Sequence, residues 1–165
     1  MPALQGSEKN LMRLLVFSDS HGARSVMEKA LTDHPDAGHV FFLGDGLGQI
    51  EEAAALFPGP SYHMVAGNCD WGADADAIGV LETAGRRVFY THGHIYHVKS
   101  GLDELLAAGR ARAADIVLYG HTHIAYAGYE DGLYILNPGT ARPGGGSYGM
   151  VDITPAGVVL NVVKV

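Results

Sequence analysis

Apolar runs along this chain stop repeatedly at short polar clusters. The stretch "LMRLLVF" at 11–17 is apolar enough for a strand covered on both faces, and it halts at Ser18-Asp19-Ser20-His21-Gly22. In "ARSVMEKALTDH" (23–34) Val26, Ala30 and Leu31 recur at helical spacing, and Pro35 closes the helix. The β-α step repeats with "HVFFLGD" (39–45) and "QIEEAAALF" (49–57), and "SYHMVAGN" (61–68) supplies a third short strand.

From residue 78 the rhythm changes. "IGVLETAGRRVFYTHG" predicts two strands joined at Ala84-Gly85, and "SGLDELLAAGRARAAD" (100–115) predicts a helix with Ser100 as its N-cap. Strands follow at 116–121, across 124–139 with a turn at Asp131-Gly132, and across 148–165 with a turn at Pro155-Ala156-Gly157. "RPGGGS" (142–147) is a loop too short to separate domains. A β-α-β-α-β start followed by hairpins and one helix predicts a four-layer α-β-β-α sandwich of two mixed sheets flanked by helices.

At 165 residues the chain suits one domain. Residues 12–165 are expected to form it, with 1–11 as a flexible polar extension and Met12 as an alternative start. Apolar residues at 47% and charged residues at 18% place it among globular chains. The net charge of -7 offers no general attraction to a nucleic-acid polymer or an anionic membrane, so an anionic substrate would need a local cation. One cysteine, Cys69, excludes an internal disulfide framework and a multi-thiolate zinc site. Without a secretory leader or a long apolar run in the sequence, the expectation is a cytoplasmic protein.

The chemistry collects where strands end. Asp19 and His21, Asp45, Asn68, His92, and His121 with His123 each follow an apolar run, five endings of the same kind. In open α/β sheets the carboxyl ends of strands converge on one crevice. Strand alternation is expected to turn Asp19 with His21, and His121 with His123, to a common side. Carboxylate, amide oxygen and imidazole without thiolate suit Mn, Fe, Zn or Ni. Seven donors exceed one tetrahedral site and would serve two cations sharing one carboxylate.

The ordered set Asp19-Ser20-His21, Gly44-Asp45, Gly67-Asn68-Cys69-Asp70, His92-Gly93-His94 and Gly120-His121-Thr122-His123 resembles the calcineurin-like metallophosphoesterase superfamily. "GNCD", "THGHIYHVKSG" and "NPGTARP" are similar to its small bacterial and archaeal phosphodiesterase group, itself similar to the Vps29-type retromer subunit. The resemblance implies Asp19, His21 and His123 on one divalent metal, Asn68, His92 and His121 on a second, and Asp45 between them. Manganese is the first expectation, with Fe, Zn or Ni as alternatives. It further implies a metal-bridging water attacking phosphorus, with Asn68, Asp70 and His94 as catalytic groups. Many members carry histidine where Asp70 stands; an ionised carboxylate donates no proton, which would pass leaving-group assistance to His94.

Arg142 is the expected substrate-binding cation, with Lys99 another loop cation within reach of a phosphate. Cys69 is expected to be a small buried residue, Trp71 to pack over its loop and His97 to be solvated. The implied partner is a small phosphate-ester substrate, and likeness to small relatives, which often self-associate, implies a homo-oligomer. The rival reading is a non-catalytic, metal-binding interaction protein of the retromer-subunit type. Scaffold relatives have lost histidines from the set, whereas all seven positions here are filled.

Overall fold

A computed structural model describes residues 10–165, so the extension expected at 1–11 lies almost wholly outside the described residues. Ten strands form two five-stranded sheets. They are β1 Met12–Phe17, β2 His39–Phe42, β3 Ser61–Met64, β4 Ile78–Thr83, β5 Arg86–Thr91, β6 Ile116–Leu118, β7 Tyr126–Glu130, β8 Leu133–Asn137, β9 Ser147–Thr154 and β10 Gly157–Lys164. Three helices, α1 Ser25–Asp33, α2 Leu47–Leu56 and α3 Asp103–Ala111, accompany them. One sheet runs β10-β9-β1-β2-β3 and the other β4-β5-β6-β8-β7. Both are mixed, with β1, β2 and β3 parallel in the first and β5, β6 and β8 parallel in the second.

Alternation along β1 shows how the layers form. Leu14 and Val16 face the other sheet, where they meet Val88, Ile116 and Leu118; Leu15 and Phe17 face Met27, Ala30 and Ile50 of α1 and α2. A third cluster seats Leu105 and Leu106 of α3 against Phe89, Val117 and Ile135 on the outer face of the second sheet. The result is the expected α-β-β-α sandwich, and its central parallel strands are apolar on both faces because both faces are covered.

Local turn chemistry agrees with the sequence. Ala84 and Gly85, and likewise Asp131 and Gly132, have positive φ, as tight two-residue hairpins require. Two expectations change. Ser100 is not an N-cap: it ends a 3₁₀ turn (Val98–Ser100), Gly101 breaks away at φ 136°, and α3 begins at Asp103 with Asp103 and Glu104 favouring its positive end. The strands also stop earlier than their apolar runs, β2 at Phe42 and β3 at Met64, which leaves the donor residues in loops.

Candidate metal centre

Seven donor-bearing side chains converge beyond the carboxyl ends of β1, β2, β3, β5 and β6. His21 Nε2 lies 3.2 Å from His123 Nε2, and these lie 3.5 and 3.1 Å from Asp19 Oδ1. His92 Nε2 lies 3.0 Å from Asn68 Oδ1, 3.1 Å from His121 Nδ1 and 3.3 Å from Asp45 Oδ2. The same Asp45 oxygen is 3.9 Å from His21 Nε2, so Asp45 stands between the two groups. Asp19-His21-His123 and Asp45-His92-His121 each offer ligand atoms close enough for one ion. The structure thus brings together all seven expected donors.

Strand alternation is not what turns them inward. Asp19, His21, Asp45, His121 and His123 all have φ between 43° and 70°, five of nine such non-glycine residues among those described. Left-handed backbone in residues other than glycine costs about 1–3 kcal/mol each and persists where the surroundings impose it, commonly at functional sites. Here the surroundings are a mesh of hydrogen bonds between loops. Asp19 N–H donates to Gly44 O, His21 N–H to Asp45 O, and Ala141 N–H to Ser18 O, while the Thr140 hydroxyl donates to Asp19 O at 2.7 Å. Gly44 must be glycine because a Cβ there would press on the Gly67 backbone and sit 2.9 Å from the His92 ring. A Cβ at Gly120 would strike the Ser18 hydroxyl and the Asp19 carboxylate.

Polar atoms around the cluster fix the donors' states. Asp19 is fully buried; its Oδ2 accepts from the Ser18 hydroxyl and from His121 N–H, and its Oδ1 has no hydrogen-bond partner among the described residues. A buried carboxylate oxygen facing the nitrogens of His21 and His123 is stable only if positive charge joins it, so the donor set fits a cation. His92 donates Nδ1–H to Leu43 O at 2.7 Å, which leaves Nε2 as the lone-pair nitrogen facing the cluster.

Burial opposes ionisation of Asp45, but the His92 ring, Cys69 N–H and the charge of His21 outweigh it and hold its carboxyl well below the usual range. Burial likewise opposes charging His92, and Asp45 and Asp19 reverse that, raising its pKa. At His121 and His94, burial and then the neighbouring His92 lower it.

The remaining expected residues divide. His94 stands beside the cluster, its ring 5.3 Å from His92, with Nδ1 buried and unpartnered among the described residues. Asp70, expected to be catalytic, is engaged by backbone N–H groups of the neighbouring loops. Its Oδ2 accepts from Asp45 N–H and Gly67 N–H at 2.6 and 2.8 Å, and its Oδ1 from Gly46 N–H and Leu47 N–H at the start of α2. A carboxylate committed on both oxygens holds the metal loops in place. Arg142 is exposed and makes no ion pair or side-chain hydrogen bond among the described residues. His97 is exposed and meets only Glu104, at 2.8 Å.

Cys69 is exposed rather than buried, because its backbone N–H is drawn to Asp45 Oδ1 and its side chain is left on the rim. Its thiol is within ligand range of His21 and Asp45. Trp71 does not pack over the loop; it is 90% exposed.

Two positioning residues escape a motif reading. Buried Asn137 donates to Gly120 O and Thr122 Oγ1 and accepts from Gly139 N–H, and Gln49 accepts from Gly22 N–H and the Ser20 hydroxyl. Only the "NPG" that follows β8 signals the first, and nothing local signals the second.

The chain is similar to known proteins in sequence and in fold. The chain is 31% identical over 132 residues to the probable metallophosphoesterase YsnB of Bacillus subtilis, covering 79% of this chain and 76% of that one. It is 29% identical over 169 residues to the phosphodiesterase YfcE of Escherichia coli, covering 86% and 88%. A predicted phosphoesterase from Streptococcus pneumoniae superposes with a TM-score of 0.78 at 26% identity, covering 93% and 90%. Vps29 of Entamoeba histolytica, in a structure complexed with zinc, superposes at 0.72 with 20% identity, covering 93% and 99%, a likeness of fold alone. Residues 12–155 match the family model of the calcineurin-like phosphoesterase superfamily domain, and with the donor cluster in place the chain belongs to that superfamily.

Proposed function

We propose that the protein is a phosphodiesterase that works with two divalent cations. Asp19, His21 and His123 would hold one, Asn68, His92 and His121 the other, and Asp45 would serve both. The observation that carries this reading is the buried Asp19 Oδ1, without a hydrogen bond and facing imidazole nitrogens inside a seven-donor cluster. When bound, the cations supply positive charge that polarises a phosphoryl group and acidifies a water. Manganese is the first candidate, and the imidazole-carboxylate donor set also accepts Fe, Zn or Ni.

The chain's own residues set the geometry. Asp70 keeps the Gly44-Asp45 and Gly67-Asn68 loops in register, and Leu43 O holds the His92 ring with Nε2 inward. His94, whose pKa burial lowers, presents an imidazole beside the centre that can donate a hydrogen bond to an ester oxygen. Arg142, next to Thr140 and Ala141, which bind the Asp19 loop, would be the cation that meets an anionic substrate. Similarity to a protein named a phosphodiesterase supports the diester class, and the acidic overall charge favours a small ester over a nucleic-acid polymer.

The test begins with protein stripped by a chelator and then titrated with Mn(II). Bis(p-nitrophenyl) phosphate turnover should be absent before addition and return as about two equivalents bind per chain. Turnover that ignores chelation would overturn the reading, and calorimetry showing tight metal binding without turnover would favour the interaction protein.

A further inference from the structure

The candidate centre is flanked by two unlike cavities. A broad groove that begins at Cys69 and Asp70 is also lined by Glu51, Asp74, Asp76 and Trp71. Its carboxylates repel an anionic ester and anything anionic attached to it. At Thr122 lies a separate cavity of roughly 500 Å³ whose lining is apolar except for Lys99 and Thr122: Val98, Leu102, Tyr119, Ile124, Ala125 and Tyr126 complete it. Thr122 connects it to the centre, since it sits between the donors His121 and His123 and is pinned there by Asn137 Nδ2 at 2.9 Å.

Two apolar side chains in this wall are costly unless something covers them. Ile124, directly after the donor His123, is 72% exposed, and Tyr126 is 44% exposed. Neither belongs to the core clusters. The volume suits a group of one or two rings, and the exposed Tyr126 in the wall is an aromatic neighbour for it.

We infer that the Lys99–Ile124–Tyr126 cavity binds a flat aromatic substituent of the phosphodiester, making this centre selective for esters that carry such a ring. This rests on the phosphodiesterase reading. The phosphate lies at the donor cluster, Lys99 at the cavity mouth faces its anionic oxygens, and the ring enters between Ile124 and Tyr126. The acidic groove at Asp70 repels a second negative charge, which favours the ring in the apolar cavity.

The test uses two monoanionic phosphonates in which CH₂ replaces an ester oxygen, monomethyl benzylphosphonate and monomethyl ethylphosphonate. Each is titrated into Mn-loaded protein by calorimetry. The benzyl compound should bind at least about tenfold tighter, the gain expected from burying one ring. Ala125→Trp, which fills the cavity, should bring the two within about twofold, and Ile124→Ser, at an exposed position and therefore tolerant, should cut the preference several-fold. Equal binding by the wild-type protein, or a preference that survives both substitutions, would overturn the inference. Bis(p-nitrophenyl) phosphate turnover measured alongside separates the two readings. Turnover without benzyl preference keeps the phosphodiesterase and removes the cavity's role; benzyl preference without turnover keeps the ring site and removes the catalysis.

Discussion

Strand β2 carries a histidine at its amino end and a carboxylate beyond its carboxyl end, and the surroundings of the two differ in every respect that matters. At the amino end His39 Nδ1 lies 2.9 Å from His63 Nε2 on β3, and His39 Nε2 lies 3.2 Å from Thr83 Oγ1 on β4 of the other sheet. His63 stacks on Phe41 and meets Tyr90 edge-on. Both histidines sit in regular strands, and no carboxylate pairs with either among the described residues. Beyond the carboxyl end, Asp45 and Asp19 stand among four imidazoles in loops of left-handed backbone. Histidine pairs at about 3 Å occur at both ends, so proximity of imidazoles is not what marks a metal site. Buried carboxylates and an enforced, unfavourable backbone mark it.

The largest break in this contrast is Asp45→Asn, which removes the charge serving both donor groups. Mn-dependent turnover of bis(p-nitrophenyl) phosphate should fall at least about 100-fold, and calorimetry should show at least one weakened metal site. A folded variant with undiminished turnover would place the centre elsewhere.

Acid separates the two ends by sign. Burial lowers the pKa of His39, and burial followed by the charge of His39 lowers that of His63. The unfolded chain, with imidazoles near 6.5, therefore binds more protons, so this pair's contribution to stability is present above about pH 6.5 and lost as pH falls below it. His92 has the opposite sign in metal-free protein. Its raised pKa contributes stability that is full below about pH 6.5 and is lost as pH rises through the folded value. Thermal melts of metal-free protein between pH 7.5 and 5.5 should show a shallower acid loss in His39→Gln/His63→Gln and a steeper one in His92→Gln. In the metal-loaded protein, occupancy should decline as pH falls through about 6, because every ligand imidazole must be neutral. Elemental analysis after dialysis at pH 5 and pH 7.5 reads that directly.

The smallest effect belongs to a third setting, the surface. His97 meets only Glu104 in solvent, and His97→Ala should move Tm by less than about 2 °C and leave metal binding unchanged. A larger shift would mean that exposure is a poor guide to the value of a histidine in this fold.

Much of the centre is legible before folding because its donors are tied to local punctuation. A glycine precedes Asp45, Asn68 and His121, and the structure shows why: the loops approach so closely at Gly44, Gly67 and Gly120 that a Cβ would collide with a neighbouring loop. What stayed hidden depends on partners distant in sequence. The expectation of a catalytic Asp70 followed from its place in a motif, yet its partners are N–H groups 23 to 25 residues upstream and at Gly67. Exposure of Cys69 and Trp71 was misjudged because hydrophobicity tells little about a residue whose backbone is held by another loop. Ser100 has the chemistry of a cap, but Gly101 turns the chain away before the helix can start.

By itself the sequence determined the alternation of buried strands and helices, the four layers and the seven donor positions, since each rests on periodicity or on residue chemistry at a strand's end. Only the tertiary structure decided which donors share an ion's space and why they point inward. It also decided that the Asp70 carboxylate gathers four N–H groups from two loops, and that an acidic groove forms at Asp70 while an apolar cavity forms at Thr122. Those depend on distances between loops from five strands, and no local pattern encodes a distance between segments a hundred residues apart.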